Sequence, residues 1–262
     1  MSAIVLESGM VHYEVLGRGR PIILLHSWVG SWRYWIPSMQ SLSTNYRAYA
    51  LDLWGFGDTA KSKYNYSLPK QADLVSRFLE EMMIGRIAIV GHGLGAMVAL
   101  QFASRHPSMV DRLMLVGFPL NDTDLDARME RQSPVELANW LLTQDPETDA
   151  ARSEAPKTDQ KAIQASLEDI ESIDHSELLR QLNTSSLLVH GQHDPAIQAS
   201  NIGEDGYMSS LTHQVIFEQS GHFPMLDESN KFNRLVADFM ALGSGESPRR
   251  LRLKEEWKRR VR

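Results

Sequence analysis

The sequence predicts an α/β domain built on a doubly wound, mostly parallel sheet. Short continuous runs of Ile, Leu and Val, such as Ile22–Leu25, read as strands buried on both faces. These runs alternate with longer segments of helical period, the rhythm of a sheet covered by helices on both sides. At 262 residues, 42% hydrophobic and 23% charged, the chain is large enough for one substantial core.

In chain order, strands are expected at Val11–Leu16, Pro21–His26, Arg47–Leu51, Ile87–Val90, Leu113–Val116, Leu187–His190 and Gln214–Phe217. Helices are expected near 70–84, 95–106, 175–182 and 226–241. Residues 121–182 break the alternation, with no clear strand, three prolines (Pro134, Pro146, Pro156) and fifteen acidic against six basic residues. The expected organisation is a core at 1–120 and 175–242 interrupted by a helical lid at 121–174. Gly243-Ser244-Gly245-Glu246-Ser247-Pro248 reads as a flexible linker over 243–248.

The net charge of −6 conceals two opposite surfaces. Residues 249–262 carry +6 and the remainder −12. The tail places Leu253, Trp257 and Val261 at four-residue spacing among Arg and Lys, the pattern of a basic amphipathic helix. It is expected to dock on the protein's own acidic surface, in cis or through self-association. A membrane surface or another protein is the other destination. Nucleic acid is not an expected partner, because the acidic body repels phosphate.

Cysteine is absent, which removes disulfides, thiolate metal sites and cysteine nucleophiles together. Met1 to Met10 contains no Lys or Arg and includes Glu7, unlike the basic start of a signal peptide. The apolar stretch from Ile87 to Ala103 is a poor membrane span, because His92 and three glycines interrupt it. A cytoplasmic location is therefore expected. No cofactor and no metal are expected, since His190 and His193 near Asp194 fall on different sides of a strand end.

The chemistry concentrates where strands end. The strand at Ile87–Val90 runs into Gly91-His92-Gly93-Leu94-Gly95 and then a helix. Small residues around a sharp strand–turn–helix junction are what a nucleophile elbow needs. Here G-x-S-x-G is complete except at its centre, where Gly93 stands. His26-Ser27-Trp28-Val29-Gly30 follows a strand in the place of an oxyanion loop. Asp194 follows the next-to-last strand and His222, before Phe223, follows the last.

Elbow, acid and histidine in that order resemble the α/β-hydrolase fold, in its small, lid-bearing esterase, lipase and dehalogenase forms. The resemblance runs from about His12 to Leu242 and includes the turn Asp52-Leu53-Trp54-Gly55-Phe56-Gly57. It implies that His222 is the general base, that Asp194 orients it, and that the N–H groups of Trp28 and Leu94 form an oxyanion hole. The small-molecule substrate would be of ester or acyl type, in a pocket lined by His26, Ser27, Trp54, His92 and Phe223. Trp28 and Trp54 are the aromatic residues expected at that pocket, and Trp32, Trp35, Tyr46 and Tyr49 those expected in packing. Asp122 is the second candidate for the acid.

The chain departs from the family twice: at Gly93, which has no attacking atom, and at Ser27, where the family usually has Gly. Three readings of Gly93 stand open. A pseudoenzyme that only binds ligand would gain stability from glycine at a strained elbow, by about 1–3 kcal/mol. Alternatively, His222 activates a water in the vacated space, or Gly93 is an engineered knockout of an active hydrolase. Ser27 and Ser31, as loop serines, are expected to be turn residues rather than displaced nucleophiles.

Overall fold

The computed structural model describes residues 2–120, 124–198 and 209–251. Eight strands form one sheet: β1 (Ser2–Leu6), β2 (Gly9–Gly17), β3 (Arg20–Leu25), β4 (Tyr46–Leu51), β5 (Ile87–His92), β6 (Val110–Val116), β7 (Ser185–Gly191) and β8 (Thr212–Phe217). Their spatial order is β1-β2-β4-β3-β5-β6-β7-β8. β1 and β2 join antiparallel, and from β4 to β8 every pairing is parallel. The central strands read as unbroken apolar runs because helices cover both faces; every residue of β5 and β7 is buried.

β1 is the strand that the apolar runs did not predict. Its residues alternate between partly buried and exposed, and Val5 is 80% exposed, so this edge hairpin strand lacks the continuous run that marks its neighbours. Helix α1 (Ile36–Leu42) and helix α2 (Leu68–Glu81) flank the first half of the sheet. α2 turns Leu68, Ala72, Val75, Phe78 and Leu79 inward at three- and four-residue spacing. Helix α3 (Leu94–Arg105) is buried from Leu94 to Ala103, which explains its nearly all-apolar sequence.

Between β6 and β7 lie α4 (Arg128–Arg131), α5 (Pro134–Leu141), α6 (Asp149–Glu154), α7 (Gln160–Ser172) and α8 (His175–Gln181). Of the prolines that broke the sequence rhythm, Pro134 begins a helix, Pro146 opens a single 3-10 turn, and Pro156 lies in the 3-10 turn that follows the end of α6. Pro134 follows Ser133, whose hydroxyl and Glu136 form a capping box. α7 is tied to the core by two carboxylates: Asp159 accepts from the Tyr66 hydroxyl at 2.7 Å, and Asp169 accepts the N–H of Leu68.

After β8 come α9 (Pro224–Asp227) and α10 (Ser229–Ala241). The C-terminal carbonyls of α10 are capped by Arg112 of β6, whose buried guanidinium donates to Phe239 and Leu242. The expected linker at 243–248 is hydrogen-bonded back onto the domain. Ser185 donates to the Glu246 carbonyl at 2.8 Å and Ser247 to the Ser210 carbonyl at 2.6 Å. Pro248 is buried, and a single helical turn follows at Pro248–Arg250. The basic tail from residue 252 and the alternative acid Asp122 lie outside the described residues. Among the described residues no helix is long and apolar enough to cross a membrane.

Candidate active site

The functional side chains gather at the C-terminal ends of parallel strands, where α/β sheets place their sites. Ser27 follows β3, Gly93 follows β5, Asp194 follows β7 and His222 follows β8. The elbow is tight because α3 starts against the sheet: a Cβ on Gly95 would lie 2.4 Å from the carbonyl oxygen of Leu25. Gly93 itself sits at φ 49°, ψ −112°, a left-handed conformation that glycine adopts without the steric cost of a side chain.

His222 and Asp194 form a buried pair, Nδ1 to Oδ2 at 2.9 Å. The other carboxylate oxygen accepts the N–H groups of Ala196 at 2.8 Å and Ile197 at 3.1 Å. Burial pushes the Asp194 carboxyl up, but the charge and hydrogen bond of His222, with these two N–H donors, outweigh it and hold the group below its usual value. An ionised carboxylate only accepts, so Nδ1 donates to Asp194 and Nε2 is the ring nitrogen turned away from it. Nε2 faces the hydroxyl of Ser27 at 3.2 Å. Ser27 thus points at His222, while Ser31 caps a turn by accepting the N–H of Arg33.

The space opposite His222 is filled. A Cβ built on Gly93 would lie 2.1 Å from Ser27 Oγ and 2.8 Å from Trp28 Cζ3. The hydroxyl of Ser27 occupies the volume into which an elbow side chain would project.

Ser27 is held from both sides of its backbone. Its carbonyl accepts from His26 Nδ1 at 2.7 Å, and His26 Nε2 accepts the N–H of Leu53 at 3.0 Å. Its N–H donates to the Tyr34 hydroxyl at 2.8 Å. That hydroxyl donates to His92 Nδ1 at 3.0 Å, and His92 Nε2 donates to the His222 carbonyl at 2.8 Å. One chain of hydrogen bonds therefore joins the backbones of Ser27 and His222. Burial lowers the basicity of His26, and of His92 well below the ordinary value, so both rings are neutral struts with committed nitrogens. Tyr34 was visible in the sequence only as one aromatic among several, and nothing in its spacing linked it to Ser27.

The backbone N–H groups of Trp28 and Leu94 donate no hydrogen bond among the described residues. Phe223 packs edge-on against His92, His222 and Tyr34, at centroid distances of 4.8, 5.1 and 5.4 Å. Trp28 lies over the site, stacked on His222 at 6.4 Å, and its indole N–H donates to Ser166 of α7 at 2.9 Å. The ring of Trp54 lies beside Gly9 at the start of β2. His190 is buried and His193 is exposed. His12, Asp52 and Asp58 bring ligand-type atoms within 4.8 Å of one another, but His12 Nδ1 is spent on Asp52 and Asp58 on Lys157. Asp52 also accepts the N–H of Trp32, which fixes the loop that carries Ser27.

The strand ends thus bring together an imidazole, a carboxylate hydrogen-bonded to it, a serine hydroxyl beside it and the peptide N–H groups of Trp28 and Leu94, an arrangement with the geometry acyl-transfer hydrolases use. A family model described as the alpha/beta hydrolase fold matches residues 20–156, and the chain belongs to that family. The chain is 26% identical over 257 residues to a 2-hydroxy-6-oxo-2,4-heptadienoate hydrolase of Pseudomonas putida, covering 86% of this chain and 91% of that one. It is 25% identical over 255 residues to a pimeloyl-(acyl-carrier protein) methyl ester esterase of Aeromonas salmonicida, covering 88% and 99%. Among solved structures, a mutant of the N-acyl homoserine lactonase AidH complexed with N-hexanoyl homoserine lactone matches with a TM-score of 0.81. Identity there is 19%, over 91% of this chain and 96% of that one.

Proposed function

We propose that this protein hydrolyses a small, uncharged ester- or acyl-type substrate, with His222 as general base and Asp194 as its orienting acid. The observation that carries this reading is the buried Nε2 of His222 facing a serine hydroxyl at 3.2 Å, with Nδ1 held on Asp194 at 2.9 Å. The free N–H groups of Trp28 and Leu94 would hold the developing oxyanion, each donor contributing about 3–4 kcal/mol in the transition state. Chemistry supports the neutrality of the substrate: the ring surfaces around His222 are those of Trp28, His92 and Phe223, and none carries a fixed charge. Hydrolysis of an ester and of a lactone, named for the relatives above, involves such a carbonyl.

Substrate entry requires Trp28 to swing off His222, so the helices between β6 and β7 act as a lid through the Trp28–Ser166 contact. The test is turnover of a panel of short-chain esters and lactones by the unaltered protein, His222→Ala and Asp194→Asn. Expected is measurable hydrolysis that falls by roughly 10⁴-fold in each variant, the scale of losing a correctly oriented base. Absence of turnover by the unaltered protein, or equal turnover by His222→Ala, overturns the reading.

A further inference from the structure

The two departures from the family pattern fit each other. Gly93 lacks the side chain that an elbow supplies, and Ser27 carries one where the resemblance leads to glycine. In space they are a single exchange: Ser27 Oγ stands 2.1 Å from the Cβ position of Gly93, inside the place of the missing group. It makes the contact with the base that the missing group would make, at 3.2 Å from His222 Nε2. We infer that Ser27, from the loop after β3, is the nucleophile of this enzyme, and that Ser27–His222–Asp194 is its catalytic triad. The inference rests on the hydrolase reading above and names the attacking atom which that reading leaves open.

Three features support attack by Ser27 over mere filling of space. Its hydroxyl lies 3.2 Å from an imidazole nitrogen, His222 Nε2, the contact through which an adjacent base makes a serine nucleophilic. Its backbone is clamped at the carbonyl by His26 and at the N–H through Tyr34 and His92 to the His222 backbone, so nucleophile and base are held as one unit. The N–H of Trp28 belongs to the residue after Ser27, the same relation that Leu94 has to Gly93. A peptide donor therefore follows the nucleophile in the chain, as an oxyanion hole requires.

The step balances without any group beyond water. Ser27 Oγ attacks the carbonyl carbon as its proton passes to His222 Nε2, giving a tetrahedral oxyanion. Collapse breaks the bond to the leaving alkoxide, which takes the proton from His222 and departs as an alcohol. Water then attacks the Ser27 ester and gives its proton to His222. The second collapse releases the carboxylic acid and returns the proton to Ser27 Oγ.

The test is labelling of the full chain by a fluorophosphonate, located by peptide mass spectrometry, beside ester hydrolysis. Expected is a single adduct on Ser27, absent from Ser27→Ala and His222→Ala, with hydrolysis in Ser27→Ala lower by 10⁴-fold or more, on the order seen when a triad serine is removed. In the double variant Ser27→Gly with Gly93→Ser, the adduct is expected to move to position 93. Gly93→Ser alone is expected to label and turn over less than the unaltered protein, because its Cβ collides with Ser27. Hydrolysis by Ser27→Ala within tenfold of the unaltered protein, still dependent on His222, overturns this inference and leaves the hydrolase reading standing. Labelling elsewhere, or Gly93→Ser alone outperforming the unaltered protein, overturns it too.

Discussion

Tyr34 shows how much a single buried hydroxyl can position. It accepts the N–H of Ser27 and donates to His92, which in turn holds the carbonyl of His222. Tyr34→Phe keeps the ring that packs on Phe223 but leaves the Ser27 N–H and His92 Nδ1 without partners. A buried donor left unpaired costs about 1–3 kcal/mol, so the urea midpoint should fall accordingly. If the strut also aligns the site, kcat should drop while KM stays near its original value. A loss of stability with unchanged kcat would make Tyr34 a packing residue alone.

At the scale of elements, the contact between the β3 loop and α7 sets access. Trp28 closes the site through one indole hydrogen bond to Ser166, whose own hydroxyl donates to the Ile163 carbonyl in α7. Ser166→Ala removes that acceptor from the closed arrangement only, since an opened indole N–H is solvated. A hydrogen bond contributes about 1 kcal/mol net, so the open population should rise about fivefold. Fluorophosphonate labelling at limiting reagent should accelerate by the same factor, and tryptophan fluorescence should shift toward a more solvated value. An unchanged labelling rate would mean that entry does not pass Trp28. The acidic character of 121–182 finds a partial account here, because Asp159 and Asp169 are spent on joining α7 to Tyr66 and Leu68.

At the scale of the molecule, burial of uncharged histidines makes the fold acid-labile. His190 is buried with both ring nitrogens unpartnered, and burial lowers its pKa to about 4; His175 is lowered to about 4 in the same way. The unfolded chain titrates near the ordinary value of about 6.5, so it binds more protons than the folded one between about pH 6.5 and 4. Stability is therefore retained above about 6.5 and falls as pH drops toward 4. For His190 alone the loss from pH 7.5 to pH 5 is about 2 kcal/mol. His190→Leu should flatten the pH dependence of the urea midpoint by that amount, and an unaltered slope would refute the assignment. Much of this architecture was legible in the sequence, because buried parallel strands are continuous apolar runs and the site lies where they end. β1 was not, since a half-exposed edge strand carries no such run. The meeting of His222 with Asp194, 2.9 Å apart, was legible from their positions after the last two strands. The pairing of Ser27 with Gly93 was not, because it joins two separate loops. Its signal was nonetheless present: two departures from one pattern, each supplying what the other lacked.

The space shared by Ser27 and Gly93 has a consequence for mutational paths. Serine at both positions would force two groups into one volume, and glycine at both would leave His222 with no hydroxyl to activate. Either single replacement thus leads into a trough, and the two arrangements are joined only by a simultaneous double step. Random mutagenesis and selection for activity should therefore improve this protein around Ser27 and leave the central glycine of its elbow in place.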